Sequence, residues 1–142
     1  MQSTILGAIE HCDLPDLDIF NMQVRVDTGA KTSSIHVDNV ECVEKDGAQW
    51  ISFDIHPDVH NVNQIVRREA LLKRKNVIKS SNGQKEQRFV IDTWLKLGAI
   101  DQLIELTLTD RSSMSYLMLL GRQAMPESVL VDPNKEFLQD SK

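Results

Sequence analysis

The residues best placed for chemistry sit in one short stretch, Val24-Arg25-Val26-Asp27-Thr28-Gly29-Ala30-Lys31-Thr32-Ser33-Ser34. Two β-branched valines alternate with an arginine, which is the pattern of a strand running into a turn. Gly29 permits a sharp bend, and the hydroxyls of Thr28 and Thr32 can lock it through bonds to nearby backbone. Such a turn holds the Asp27 carboxylate at a strand end, where it can take or give a proton. The plain alternative is an aspartate that only caps its own turn. Two other patterns were weighed. His56 and His60 are four apart, but Pro57 between them breaks the helix that would bring both to one metal, and no third ligand stands nearby in sequence. Gly29-Ala30-Lys31-Thr32 is similar to the tail of a phosphate-binding loop, yet its upstream glycine is missing and Asp27 would repel phosphate. Neither zinc nor a nucleotide is therefore expected, and no cofactor is required.

A second segment, Leu119-Leu120-Gly121-Arg122 followed by Gln123-Ala124-Met125, gives the first its context. Hydrophobic-x-hydrophobic-Asp-Thr-Gly-Ala resembles the catalytic loop of retropepsin-type aspartic proteases. Hydrophobic-hydrophobic-Gly-Arg resembles the strand that packs beside that loop in the same fold. Residues 26–34, Ser80-Ser81-Asn82-Gly83, and residues 105–111 and 118–122 together resemble one bacterial and archaeal retropepsin-like family. Its members are often labelled ATP-dependent zinc proteases. The likeness runs from about residue 5 to residue 137.

The resemblance implies an all-β fold, a closed retropepsin-like barrel with one short C-terminal helix, and a single domain over residues 1–142. It also implies a homodimer, because this chain has one Asp-Thr-Gly and the mechanism needs two carboxylates sharing a proton. Asp27, Thr28 and Gly29 would be the catalytic residues. Ala30, Lys31, Ser81, Asn82, Gly83 and Arg122 would line the substrate, and the local excess of bases adds Arg68 and Arg88 to them. One departure stands out: the position two after the motif glycine usually carries an aspartate that pairs with the arginine of the second motif, and here it is Lys31. Lys31 and Arg122 cannot pair with each other, so either they bind an anion, another carboxylate intervenes, or Lys31 points to solvent. Members of the family are associated with ligases that append glutamates, which implies an acidic or glutamate-tailed substrate. A barrel retained only for dimerisation or peptide binding is the competing class, and a metal-dependent hydrolase the third.

Positioning these residues falls to many short strands. Residues 5–9, 19–26, 35–37, 40–43, 50–55, 77–80, 88–97, 104–109, 116–120 and 129–131 read as strands. Residues 65–72 favour a helix by propensity but a strand by the resemblance, and the strand is preferred. Asp46-Gly47 and Asn82-Gly83 mark hairpins. The second, at residues 80–84, is the expected flap over the active site, and the first is its rival. Residues 122–127 read as one or two helical turns.

Bulk composition fits this reading. The chain has 142 residues, 41% hydrophobic and 26% charged, with a net charge of -5. That charge argues against nucleic-acid binding, no stretch reaches the ~20 apolar residues of a membrane helix, and no signal peptide opens the sequence, so a cytoplasmic setting is expected. Cys12 and Cys42 have no metal-type spacing and read as free thiols. The one local anomaly is six bases between Arg67 and Lys79 against the single acid Glu69. It is either a solvated face or, with Arg88 and Arg111, a site for an acidic partner.

Overall fold

The computed structural model describes residues 4–58, 63–79, 83–109 and 116–140. Ten strands form: β1 (Thr4–Leu6), β2 (Ile9–Leu14), β3 (Ile19–Val26), β4 (Ser33–Lys45), β5 (Ala48–Ile55), β6 (Val66–Lys79), β7 (Lys85–Leu97), β8 (Ile100–Thr109), β9 (Met118–Leu120) and β10 (Val129–Val131). Eight of them make one sheet in the order β2-β3-β9-β4-β5-β6-β7-β8. Extra pairings of β2 with β7 and of β4 with β8 close it on itself. This is the closed all-β barrel that the motifs implied. Closure removes the unpaired edges that an open sheet would expose. The parallel pair β1–β10 forms a separate ribbon.

Local patterning explains the strands. In β7, Ile91, Thr93, Leu95 and Leu97 are buried while Asp92, Trp94 and Lys96 are exposed, a period of two that sets one face inward. β8 answers with buried Ile104, Leu106 and Leu108. Each fully buried side chain of this size contributes roughly 1.5–3 kcal/mol. Residues 66–72 are strand, as preferred above, because residues 66–71 pair with β5 and Leu72 starts the pairing with β7, ladders that outweigh helix propensity. The short C-terminal helix is reduced to a 3-10 turn over Arg122–Ala124. Met125 is already extended and Pro126 follows, so no second turn can form.

Two hairpins extend from the barrel. In the first, Asp46 and Gly47 both have positive φ (51° and 78°), as a two-residue turn between twisted strands demands. An extra residue on β4 interrupts its pairing with β5 between Asp38 and Glu41, where Asn39 has φ 53°. In the second, β6 pairs with β7 out to Lys79 and Lys85. Beyond Lys75 and Phe89 the two strands pair only with each other, residues 76–79 with residues 85–88, after β8 has left off at Phe89. It is thus a projecting arm. Its tip residues Ser80, Ser81 and Asn82 lie outside the described residues.

Candidate functional site

The Asp27 loop is built between β3 and β9. β9 runs parallel to β3, with Val26 beside Leu120, and antiparallel to β4, with Ser34 beside Leu119. Met118 and Leu120 are fully buried, so this three-residue strand is an inner wedge holding both neighbours. As β3 ends, the Asp27 amide donates to the Leu120 carbonyl at 2.9 Å, and the Ala30 amide turns back to the Asp27 carbonyl at 3.2 Å. The Arg122 and Gln123 amides then donate to the Ala30 and Lys31 carbonyls at 2.8 and 2.9 Å. The Arg122 guanidinium closes the loop from outside, donating through Nη1 to the Thr28 carbonyl at 2.9 Å. Asp27 accepts the Gly29 amide on Oδ1 at 3.0 Å.

Gly121 makes this proximity possible. A Cβ there would collide with the backbone of Thr32, which no side-chain rotation can relieve. The Gly121 amide also donates to the buried Ser33 hydroxyl at 3.0 Å. Ser33 had not been singled out. The signal was its place within the polar run that follows the motif.

Asp27, Thr28, Gly29, Ala30, Lys31 and Arg122 are thus one clamped unit, with Thr28, Gly29, Lys31 and Arg122 exposed. The partner of Arg122 across the loop is a backbone carbonyl, which takes up a donor where the usual aspartate is replaced by Lys31. The other expected substrate residues are placed by other elements. Arg68, on β6, donates through Nε to the Leu17 carbonyl at 2.5 Å and tethers the 3-10 turn Pro15–Leu17. Arg88 is half-buried opposite Asn76 within the second hairpin, and Gly83 (φ 84°) is exposed near its tip. Ser81, Asn82 and Arg111 lie outside the described residues, as does His60.

The basic run is largely answered by acids across the sheet. Arg74 grips Glu105 with two parallel bonds, Nη1 to Oε2 at 2.7 Å and Nη2 to Oε1 at 2.6 Å. Lys73 reaches Glu105 at 2.9 Å and Asp92 at 3.0 Å. Asp92 and Glu105 face each other directly across β7 and β8, a like-charged pair that would repel without these two bases. The bonds from Arg74, then from Lys73, hold the Glu105 carboxyl down at about 2. Arg67 reaches Asp54 at 3.1 Å, whereas the run's own acid, Glu69, is taken by Lys45. The excess counted along the chain is therefore much smaller in space.

A second constellation lies on β4 and the end of β5. Val37 faces Ile55 and Asp38 faces Asp54, so one further step of the same register brings His56 opposite His36. Both rings approach one carboxylate oxygen. His36 Nε2 is 3.1 Å and His56 Nε2 2.7 Å from Asp38 Oδ2, with the rings stacked at 5.5 Å between centroids. The hydrogen bond from His56, and after it the two histidines' charge and the bond from His36, hold the Asp38 carboxyl below its ordinary range against a smaller opposing effect of burial. In sequence His56 has His60 as its neighbour four residues on, and His36 stands apart from both. The register of the first hairpin joins His36 to His56 instead.

A family model described as retropepsin-like aspartic endopeptidase RimB matches residues 5–142. The chain belongs to this RimB-like family. A "Probable alpha-L-glutamate ligase" of Shewanella pealeana is 44% identical over 133 residues, covering 94% of this chain and 29% of the ligase. One of Desulfotalea psychrophila is 45% identical over 129 residues, 91% of this chain and 28% of the relative. The chain thus spans less than a third of the length of the curated relatives it matches. A Legionella pneumophila protein of unknown function (DUF785) has a similar solved structure, with TM-score 0.77 and 28% identity over 96% of this chain and 98% of that one. The RimB-like assignment agrees with the barrel and with the paired motifs at Asp27 and Leu120. No helix among the described residues is long and apolar enough to cross a membrane.

Proposed function

We propose that this chain is an aspartic-type peptidase that works as a homodimer on acidic peptides, glutamate-rich tails foremost. The observation that carries the reading is the Asp27 loop itself, a carboxylate on a turn fixed by five backbone-directed bonds from Asp27, Ala30, Arg122 and Gln123. A group held this way suffers little reorganisation when a proton moves. Two such loops meeting across a twofold axis would set their carboxylates a few ångströms apart, where both cannot ionise together. The ionised one takes the proton of a water held between them. The protonated one donates to the scissile carbonyl oxygen as that water attacks; on collapse the carboxyl that took the water's proton passes it to the departing amine, and the other regains a proton from the intermediate's hydroxyl. The exposed loop surface leaves room for the second copy. Lys31, exposed on the same loop as Asp27, supplies positive charge for an acidic chain, and the ligase names of the relatives point to the same substrate chemistry.

Incubation with an oligoglutamate-tagged peptide and a neutral control tests this. Wild type should cleave the acidic peptide, and Asp27→Asn should abolish cleavage while remaining a folded dimer by sedimentation. Cleavage at the wild-type rate by Asp27→Asn sinks the mechanism. A second reading, a non-catalytic binding module, is favoured by Lys31 in place of the usual acid, and it predicts that wild type binds the peptide without cutting it.

A further inference from the structure

We propose that His36, Asp38 and His56 form a binding site for a divalent transition ion of the zinc type, separate from the Asp27 centre. The donor set suits such an ion: two imidazole nitrogens and one carboxylate oxygen supply three of the four ligands that it takes. The three donor atoms all lie within 4.8 Å of one another. Ligands at ordinary zinc bond lengths of about 2.0–2.1 Å in a tetrahedron are roughly 3.3 Å apart. The present separations of 3.1 and 2.7 Å to Asp38 Oδ2 are close to that, so the ion would enter by small side-chain rotations.

The scaffold is rigid where it needs to be. His36 is only 3% exposed and lies in β4, its amide bonded to the Leu117 carbonyl at 2.7 Å. The Asp38 side chain is 44% exposed, which leaves an entry path from solvent. The fourth corner of the same face, Asp54, is already engaged by the Asn39 amide at 2.8 Å and by Arg67. That leaves Asp38 as the carboxylate turned toward the histidines. The site is also clear of the peptidase loop. Leu117 touches His36 and Leu120 touches Asp27, and three residues of strand are roughly 10 Å. The ion would act as a clip between β4 and the end of β5, not at the reacting atoms. The alternative is a hydrogen-bonded trio in which both rings donate to Asp38 without metal.

Chelator-stripped full chain is titrated with zinc chloride by calorimetry, beside Asp38→Asn and His56→Gln, two side chains outside the buried core. Wild type should take up one zinc per chain with Kd of about 1 µM or tighter, gain thermal stability on binding, and give the visible absorption of a low-coordinate site with cobalt. Each variant, checked for its fold by circular dichroism, should bind at least tenfold more weakly and lose the cobalt bands; where one fails to fold, the other decides. No zinc binding by wild type tighter than about 100 µM, or an affinity unchanged in a folded variant, overturns the site and leaves the hydrogen-bonded trio.

Discussion

Arg122 donates through Nη1 to the carbonyl oxygen of Thr28, tying the segment after β9 to the middle of the Asp-Thr-Gly turn. In the resemblance, the corresponding arginine meets an acid, and here Lys31 has replaced that acid. The clamp is kept by a backbone acceptor, whose position does not depend on the side chain two residues on. Arg122→Ala should therefore cost about 0.5–1.5 kcal/mol in urea unfolding. Its effect on peptide hydrolysis should exceed its effect on stability, because a loosened turn misplaces Asp27. Equal rates for variant and wild type would show that the amide bonds alone hold the loop.

Glu105 ties acid stability to the second hairpin. Its carboxyl is held down at about 2 by Arg74 and Lys73, below the ordinary 4.5. A depressed folded-state value means that the contribution is complete above about 4.5 and is lost as pH falls through about 2. Glu105→Gln should lower the melting temperature near neutrality by a few degrees at most, since these pairs are near the surface. The gap should narrow on acidification from about 4.5 and close near 2. A gap independent of pH would mean that packing, not charge, accounts for the loss.

The two thiols should separate cleanly. Cys42 is exposed, whereas Cys12 is buried against Met118 and burial pushes its thiol up to about 12. A thiol reagent should modify one site, Cys42, in native protein at mildly alkaline pH, and two after denaturation. Peptide mapping reads this directly, and native labelling of Cys12 would reveal opening of the barrel wall at β2.

Selectivity for acidic peptides should rest on Lys31 more than on the basic run. Arg67, Lys73 and Arg74 already have carboxylate partners. Lys31→Gln should raise KM for a glutamate-rich peptide by a fewfold, consistent with about 0.2–1 kcal/mol per exposed pair, and leave a neutral peptide unaffected. Salt near 1 M, where the Debye length is roughly 3 Å, should erase the difference. Equal KM changes for both peptides would remove Lys31 from recognition.

What was legible in the chain follows how far each feature depends on distant partners. The Asp27 loop and its companion strand were readable because each is a contiguous motif whose backbone demands, such as the glycine against Thr32, are written locally. The Asp46-Gly47 turn was readable for the same reason. Helix propensity misdescribes residues 66–72 because tertiary pairing decides them, and only the likeness pointed to the strand. The basic run misled because Glu105 and Asp92 come from strands elsewhere in sequence and arrive opposite Lys73 and Arg74 only through the ladder. The His36–Asp38–His56 cluster needed the hairpin register and, beyond that, the single added residue at Asn39. Without that bulge, Pro57 would face His36 and the His56 ring would point to the opposite side of the sheet.

The wedge strand β9 also sets an order of events. Thr28 and Arg122 are 94 residues apart in sequence, and among the described residues the bonds that fix the acid's loop from outside its own turn come from residues 120–123. A chain growing from its N-terminus carries Asp27 early but has nothing to hold it until those late residues exist. Closing so long a loop is slow. The Asp27 loop therefore takes its final geometry only once residues 120–123 have joined the barrel, and a copy that stops short of them would carry this acid on an unheld turn.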